Sequence, residues 1–158
     1  MNYIIRKGKK EDLPQVLGLI KELALYEKAP QEVTNTVEDM EIDGFGENPV
    51  YGLFVAEKDA KIIGIAIYYT KYSTWKGKCI YLDDIVITEP YRCKGIGRKL
   101  FEEVIKVSKE KSANRMEWQV LEWNTPAIEF YKKFNAVLDP EWINGKFTKE
   151  QLESYQFN

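Results

Sequence analysis

The chain of 158 residues contains no histidine. That absence removes Ser-His-Asp and Cys-His nucleophilic machinery, histidine-ligated metals and the commonest general base together. Proton transfer must then fall to carboxylates, tyrosine, cysteine, lysine or water. Cysteine is scarce too. Cys79 and Cys93 are the only two, in segments with neither a disulfide framework nor a CxxC metal spacing, so we expect no metal and a reducing, cytoplasmic setting. Long apolar runs are missing, and the opening MNYIIRKGKKED is too poor in apolar residues for a signal segment, which predicts a soluble protein with no membrane partner. An excess of positive charge is missing as well. The 23 Lys and Arg face 25 Asp and Glu, a net charge of −2, and without a basic footprint we expect no nucleic-acid partner.

What is present has the size of one domain, residues 1–158, large enough for a real core. Residues 3 to 6 predict a short strand. Asp12 and Pro14 open a helix whose apolar positions Leu13, Val16, Leu17, Ile20, Leu23 and Ala24 recur at helical spacing. Thr36, followed by Asp39, caps a second short helix ending near Gly44. From Tyr51 the period changes to β-branched and aromatic runs, LFVAE and KIIGIAIYYT, joined across Lys58-Asp59-Ala60-Lys61 as an antiparallel hairpin; CIYLDDIVI at 79 to 87 is a third long strand. A helix with Ile96, Leu100, Val104 and Val107 on one stripe follows. Met116, Trp118 and Val120 alternate as a fifth strand, and Asn124-Thr125-Pro126 opens another helix. A strand around Trp142 to Phe147 and a capping box from Thr148 to Gln151 complete the pattern. The fold class is α/β (α+β): a mixed, mostly antiparallel twisted sheet flanked by helices on both faces.

The segment YRCKGIGRKL at 91 to 100 places Gly95 and Gly97 at a helix start, where backbone N–H groups lack intrahelical partners and the helix dipole adds partial positive charge. Without β-carbons there, a phosphate can approach the backbone closely, with Arg92, Lys94 and Arg98 supplying charge. A tight turn accounts for two such glycines equally well, so the residues alone leave both readings open. The segment is not a P-loop, because GxxxxGK[ST] is absent, and GxGxxG is incomplete because position 100 is Leu.

Arg92-Cys93-Lys94-Gly95-Ile96-Gly97, following Leu82-Asp83-Asp84-Ile85-Val86-Ile87, resembles the acyl-CoA pyrophosphate loop of the GNAT superfamily of N-acetyltransferases, whose pattern is Gln/Arg-x-x-Gly-x-Gly/Ala. LIKELALYE at 19 to 27, DGFGENP at 43 to 49, YLDDIVI at 81 to 87 and EWNTPAIEFYKKFNA at 122 to 136 are similar to its diamine (spermidine/spermine) and thialysine acetyltransferase branch. The resemblance implies acetyl-CoA as co-substrate and a small-molecule amine as acceptor. It implies that amides of Ile85, Val86 and Ile87 meet the pantetheine arm and the thioester carbonyl, that Arg92, Cys93, Lys94, Gly95, Ile96, Gly97 and Arg98 cradle the pyrophosphate, and that Asn124, Pro126 and Ala127 lie beside the cofactor. Tyr131 matches the tyrosine that protonates the departing thiolate. Asp83 holds the position of the proton-accepting carboxylate, where the family typically has Glu, so the shorter side chain would work through water. Tyr26, Glu27, Asp84, Glu122 and Trp123 fall on the substrate side, and the resemblance also implies a homodimer.

Adjacent strand residues point to opposite faces, so Asp83 and Asp84 share one pocket only if the strand is bulged there. Cys93 replaces the first glycine of the usual run; if the position needs positive φ, the side chain is strained. No activated nucleophile is evident, so attack on the thioester would be direct. Polyamines, small diamines and thialysine or lysine-like amines all suit an acidic groove. A CoA-binding sensor without turnover and a protein-lysine acetyltransferase are the alternative readings.

Overall fold

The computed structural model describes residues 2–157. Its contacts divide it into two units, one up to Gln119 and one from Val120 onward. In the first unit the strands β1 (Ile4–Lys7), β2 (Gly52–Lys58), β3 (Lys61–Ser73), β4 (Gly77–Ile87) and β5 (Arg115–Glu117) lie side by side in chain order. All neighbours are antiparallel except β4 and β5, which run parallel. The hairpin between β2 and β3 closes through Asp59 and Ala60 at φ of 50° and 60°, a left-handed turn pair that matches the twist of the flanking strands.

Helices cover both faces of this sheet, as the apolar stripes require. On one side α1 (Leu13–Tyr26) and α2 (Val37–Phe45) bury Leu13, Val16 and Met40 against Val55, Ile65 and Val86. The side chain of Thr36 accepts a hydrogen bond from the Asp39 amide and starts α2 as its N-cap. Strand alternation turns Gly64 to the other face, where α3 (Ile96–Glu110) buries Ile96, Leu100, Phe101 and Val104. Gly64 permits the close approach: a β-carbon there would stand 2.7 Å from the Ile87 side chain and 3.2 Å from Leu100. Each fully buried aliphatic side chain contributes about 1.5–3 kcal/mol.

Two bulges shape the sheet. Ala56 faces Gly64 and Glu57 faces Ile62, so Ile63 is an extra residue in β3; Ile67 faces Asp84 and Tyr68 faces Leu82, so Asp83 is an extra residue in β4. The second bulge corrects one expectation. The fifth strand ends at Glu117 rather than continuing through Trp118 and Val120, because its pairing with β4 stops at Tyr81, just short of the bulge. Trp118 instead sets its ring edge-on to Phe101 of α3 at 5.3 Å.

The second unit holds α4 (Thr125–Lys132) and α5 (Lys149–Ser154). The capping box forms as its spacing predicts, with Thr148 and Gln151 bonding each other's amides. The strand expected around Trp142 to Phe147 does not form: no ladder reaches it among the described residues, and Pro140 before it and Asn144-Gly145 inside it are turn formers. No described helix is long and apolar enough to cross a membrane.

Arg6 ties the sheet to the start of α1. Its guanidinium donates to both carboxylate oxygens of Asp12 at 2.7 and 2.9 Å and to Glu57 at 2.7 Å, while the Lys9 amide also donates to Asp12. The Arg6 partner holds the buried Asp12 carboxyl below its ordinary range. A depressed carboxyl pKa contributes stability above the unfolded value and loses it as pH falls through the folded value. Asp12→Ala should therefore cost about 2 kcal/mol at neutral pH, less than a fully buried pair because Arg6 keeps Glu57. Denaturant titrations at falling pH should show the gap to wild type closing below about pH 4.

Candidate active site

The bulge at Asp83 decides which way the carboxylates point. On β3, Ile67 and Tyr69 share a face; they pair with Asp84 and Tyr81, so those two also share a face although they stand three positions apart on β4. That face is the one α1 covers, since Ile67 belongs to its core. Burial, then the charges of Asp83 and Glu27, push the half-buried Asp84 carboxyl up to about 6. Asp83 and Glu27 are raised by burial. Both aspartates act on the Tyr81 phenol, which burial above all lifts to about 12. The structure therefore brings Glu27, Asp83 and Asp84 together at the end of α1.

The same bulge leaves an edge open. Beyond Tyr81 the side of β4 toward β5 has no ladder partner among the described residues, so amides along 82 to 87 that point away from β3 are available to a ligand. Ile85, Val86 and Ile87 lie on this stretch.

From there the chain turns through residues 88 to 95 into α3. Gly95 is the N-cap at φ 80°, with no side-chain cap bond, no acidic residue in the first helical turn and nothing within 4 Å of where a β-carbon would stand. The helix start is thus open to an anion. Cys93 is exposed and sits at φ 59°, the strained case for a residue with a side chain. Lys94 folds back, donating to the Pro90 carbonyl at 2.7 Å with its ammonium 5.3 Å from the centre of the Tyr91 ring. Arg98 pairs with Glu102 along the helix at 2.9 Å. Arg92 does not point to the helix start. Its Nε donates to the Ile87 carbonyl at 2.9 Å, and its guanidinium lies 5.6 Å from the centre of the Tyr26 ring.

Glu22 on α1 holds this turn, and sequence reasoning missed it. One carboxylate oxygen accepts from the Thr88 hydroxyl at 2.9 Å, the other from the Glu89 amide at 3.1 Å and from Arg92 at 3.4 Å. The available signal was its place one helical turn before Tyr26.

In the second unit, Asn124 is buried and caps α4, its side-chain oxygen accepting from the Ala127 amide at 3.3 Å, and Pro126 sits in the first turn. Tyr131 is 5% exposed, with Phe130 edge-on at 5.2 Å. Glu122 and Trp123 are exposed.

The sequence profile of the acetyltransferase (GNAT) family matches residues 17–136. The chain belongs to that family. It is 40% identical over 141 residues to the thialysine N-epsilon-acetyltransferase of Bos taurus, covering 84% of this chain and 83% of that one. It is 33% identical over 163 residues to the human spermidine/spermine N(1)-acetyltransferase-like protein 1, covering 96% of this chain and 24% of that one. An aminoglycoside N-acetyltransferase solved in complex with CoA superposes with a TM-score of 0.74 at 18% identity, over 92% of this chain and 95% of that one, a likeness of fold. The protein is thus an acetyltransferase, and enzymes of this family take their acetyl group from acetyl-CoA. The open start of α3 and the unpaired edge of β4 suit a pyrophosphate and the arm attached to it.

Cys93→Gly removes the left-handed strain and should raise stability by about 0.5–1 kcal/mol, less than the full strain because glycine is freer when unfolded; the denaturation midpoint measures it. Glu22→Ala strips one acceptor from Thr88, Glu89 and Arg92 and should weaken binding of CoA about tenfold in a calorimetric titration.

Proposed function

We propose that residues 1–158 form one catalytic domain that moves acetyl from acetyl-CoA to a primary amine of a small cationic substrate by direct attack, without an acetyl-enzyme. The observation that carries this reading is the carboxylate cluster on the bulge, with Asp84 raised to about 6 beside Asp83 and Glu27. The relatives' names, thialysine and spermidine/spermine acetyltransferases, support a polyamine, diamine or lysine-like substrate.

A primary amine is protonated at neutral pH and must lose a proton before attack. Asp83, at the exposed end of the bulge, accepts it through water, and Asp84 shares the load. Two adjacent carboxylates that repel one another bind a shared proton more tightly than either alone, and titrate as a pair. At pH 7 a carboxyl with a pKa near 6 is still mostly ionised, so it attracts the ammonium and can take its proton. Glu27 and Tyr26, with Glu122 and Trp123, complete the substrate side.

Amides of Ile85, Val86 and Ile87 hold the pantetheine arm and donate to the developing oxyanion on the thioester carbonyl. Backbone groups from Cys93 to Arg98 hold the pyrophosphate; Arg92 acts from behind, through the Ile87 carbonyl. Asn124, Pro126 and Ala127 lie beside the cofactor. Tyr131 gives its phenolic proton to the departing thiolate. By family resemblance the enzyme is a homodimer, and its two free thiols, Cys79 and Cys93, agree with a cytoplasmic location.

Release of CoA thiol from acetyl-CoA, with spermidine, putrescine, thialysine and lysine side by side, tests the reading. Tyr131→Phe should lower kcat about a hundredfold while leaving CoA affinity in place; unchanged acetylation of every accepted amine would remove Tyr131 from the acid role. In wild type, kcat/KM should fall as pH drops below about 6, where the carboxylate pair takes up its proton. Asp84→Asn should lower kcat/KM about a hundredfold and displace that acid limb.

A further inference from the structure

The last turn of α1 lies between the acidic cluster and the turn into α3. There the Ala29 amide donates to the Ala24 carbonyl at 2.9 Å and the Lys28 amide to the Leu25 carbonyl at 3.1 Å, with Lys28 in the left-handed region at φ 62°. This nested pair of bonds is a Schellman closure, which locks the helix end into one shape and fixes Glu27 relative to Tyr26. Glu27 belongs to the carboxylate cluster, where its charge acts on Asp84. Tyr26 meets the turn instead. The Arg92 guanidinium stands 5.6 Å from the centre of its ring, within the range of a cation on an aromatic face.

Glu22 and Tyr26 reach different parts of that turn. Glu22 holds its beginning, through the Thr88 hydroxyl at 2.9 Å and the Glu89 amide at 3.1 Å. Tyr26 meets Arg92, one residue before the stretch whose amides suit an anion. That stretch has the least support of its own: Cys93 is strained at φ 59°, and Gly95 caps α3 with no side-chain bond. An anion bound there supplies bonds to the helix start and settles the backbone beside it. Arg92 is the next residue, and its side chain is tied to β4 through the Ile87 carbonyl at 2.9 Å and to α1 through Glu22 at a longer 3.4 Å. What fixes Arg92 therefore bears on Tyr26, and the closed helix end carries the effect to Glu27.

We propose that Tyr26 is a positioning residue that couples the two halves of the site: an anion held at the start of α3 orders Arg92, Arg92 orders the Tyr26 ring, and the closed end of α1 presents Glu27 to the incoming amine. The proposal rests on the acetyltransfer reading above, in that the anion is the pyrophosphate of CoA. Coupling of this kind is reciprocal, so CoA tightens the amine by the same factor by which the amine tightens CoA. It also separates two roles for one side chain. A ring that merely touches the amine changes its affinity equally with CoA present or absent, whereas a coupling ring changes the ratio of the two affinities.

Hydrogen exchange at the amides of Glu27, Lys28 and Ala29, read with and without saturating CoA, tests the link without any amine. In wild type CoA should slow it about fivefold or more. Tyr26→Leu removes the aromatic face and should abolish the slowing while CoA still binds; Tyr26→Phe keeps the face and should retain the slowing. Calorimetry with spermidine and with thialysine should give an affinity about fivefold higher with CoA present, a ratio that falls toward one in Tyr26→Leu and survives in Tyr26→Phe. Bound CoA that leaves exchange at the end of α1 unchanged overturns the proposal, as does slowing that survives Tyr26→Leu or is lost in Tyr26→Phe, or a wild-type affinity ratio of one for an amine that binds. Loss of CoA binding in Tyr26→Leu overturns it as well, because the ring would then serve the turn itself. Failure of the wild type to bind CoA removes the coupling and the acetyltransfer reading together. If CoA binds but no amine releases thiol, the acetyltransfer reading alone falls, while CoA-dependent slowing that needs the ring still upholds the coupling.

Discussion

One extra residue in β4 governs the functional face of this protein. Without the bulge at Asp83, the strict alternation of a strand would turn Asp84 and Tyr81 to opposite faces. With it, Asp84 comes onto the face covered by α1, where burial and its acidic neighbours raise its proton affinity. The strand is also re-aimed, so that pairing with β5 ends at Tyr81 and the edge beyond it is left open. Acidic chemistry and an open row of backbone donors thus have a single geometric cause. Both would be lost together if the register were regularised.

The turn that follows β4 depends on contacts made from outside it. Backbone N–H groups at a helix start attract an anion only if the loop before them holds its shape. Here the shape is held from α1 by Glu22, which takes bonds from a hydroxyl, an amide and a guanidinium. Arg92 carries the link back to the last carbonyl of β4 and across to Tyr26. Its charge therefore serves the loop's framework before it serves any ligand. Because Tyr26 and Glu27 end the same helix, displacement of α1 would disturb the acidic cluster and the turn into α3 at once.

Much of this was legible in the residues. Apolar spacing placed α1 and α3, Thr36 and Thr148 marked the caps of α2 and α5, and the glycine pattern after YLDDIVI carried the family. What stayed hidden has a common physical origin. A bulge is a property of register between two strands, so neither YLDDIVI nor KIIGIAIYY alone reveals it. The early end of β5 follows from that register, since Trp118 still alternates correctly in the sequence. The segment from Trp142 to Phe147 shows the opposite failure: its residues favour a strand, yet strand formation needs a partner edge, and none pairs with it among the described residues. Glu22 was missed because its partners lie about seventy positions away.

The near-neutral net charge of −2 conceals a strong local division. Three carboxylates crowd the end of α1, while two cations hold one carboxylate farther along the same face. A field of this form discriminates by the separation of charges within a ligand, not by total charge, because screening over about 8–10 Å lets each end act on what lies closest to it. Acidity at the bulge would draw any ammonium, so it cannot by itself tell one amine from another. A preference among amines therefore falls to groups beyond the bulge, where Lys71 and Arg115 both pair with Glu117 and the charge differs from that of the acidic end.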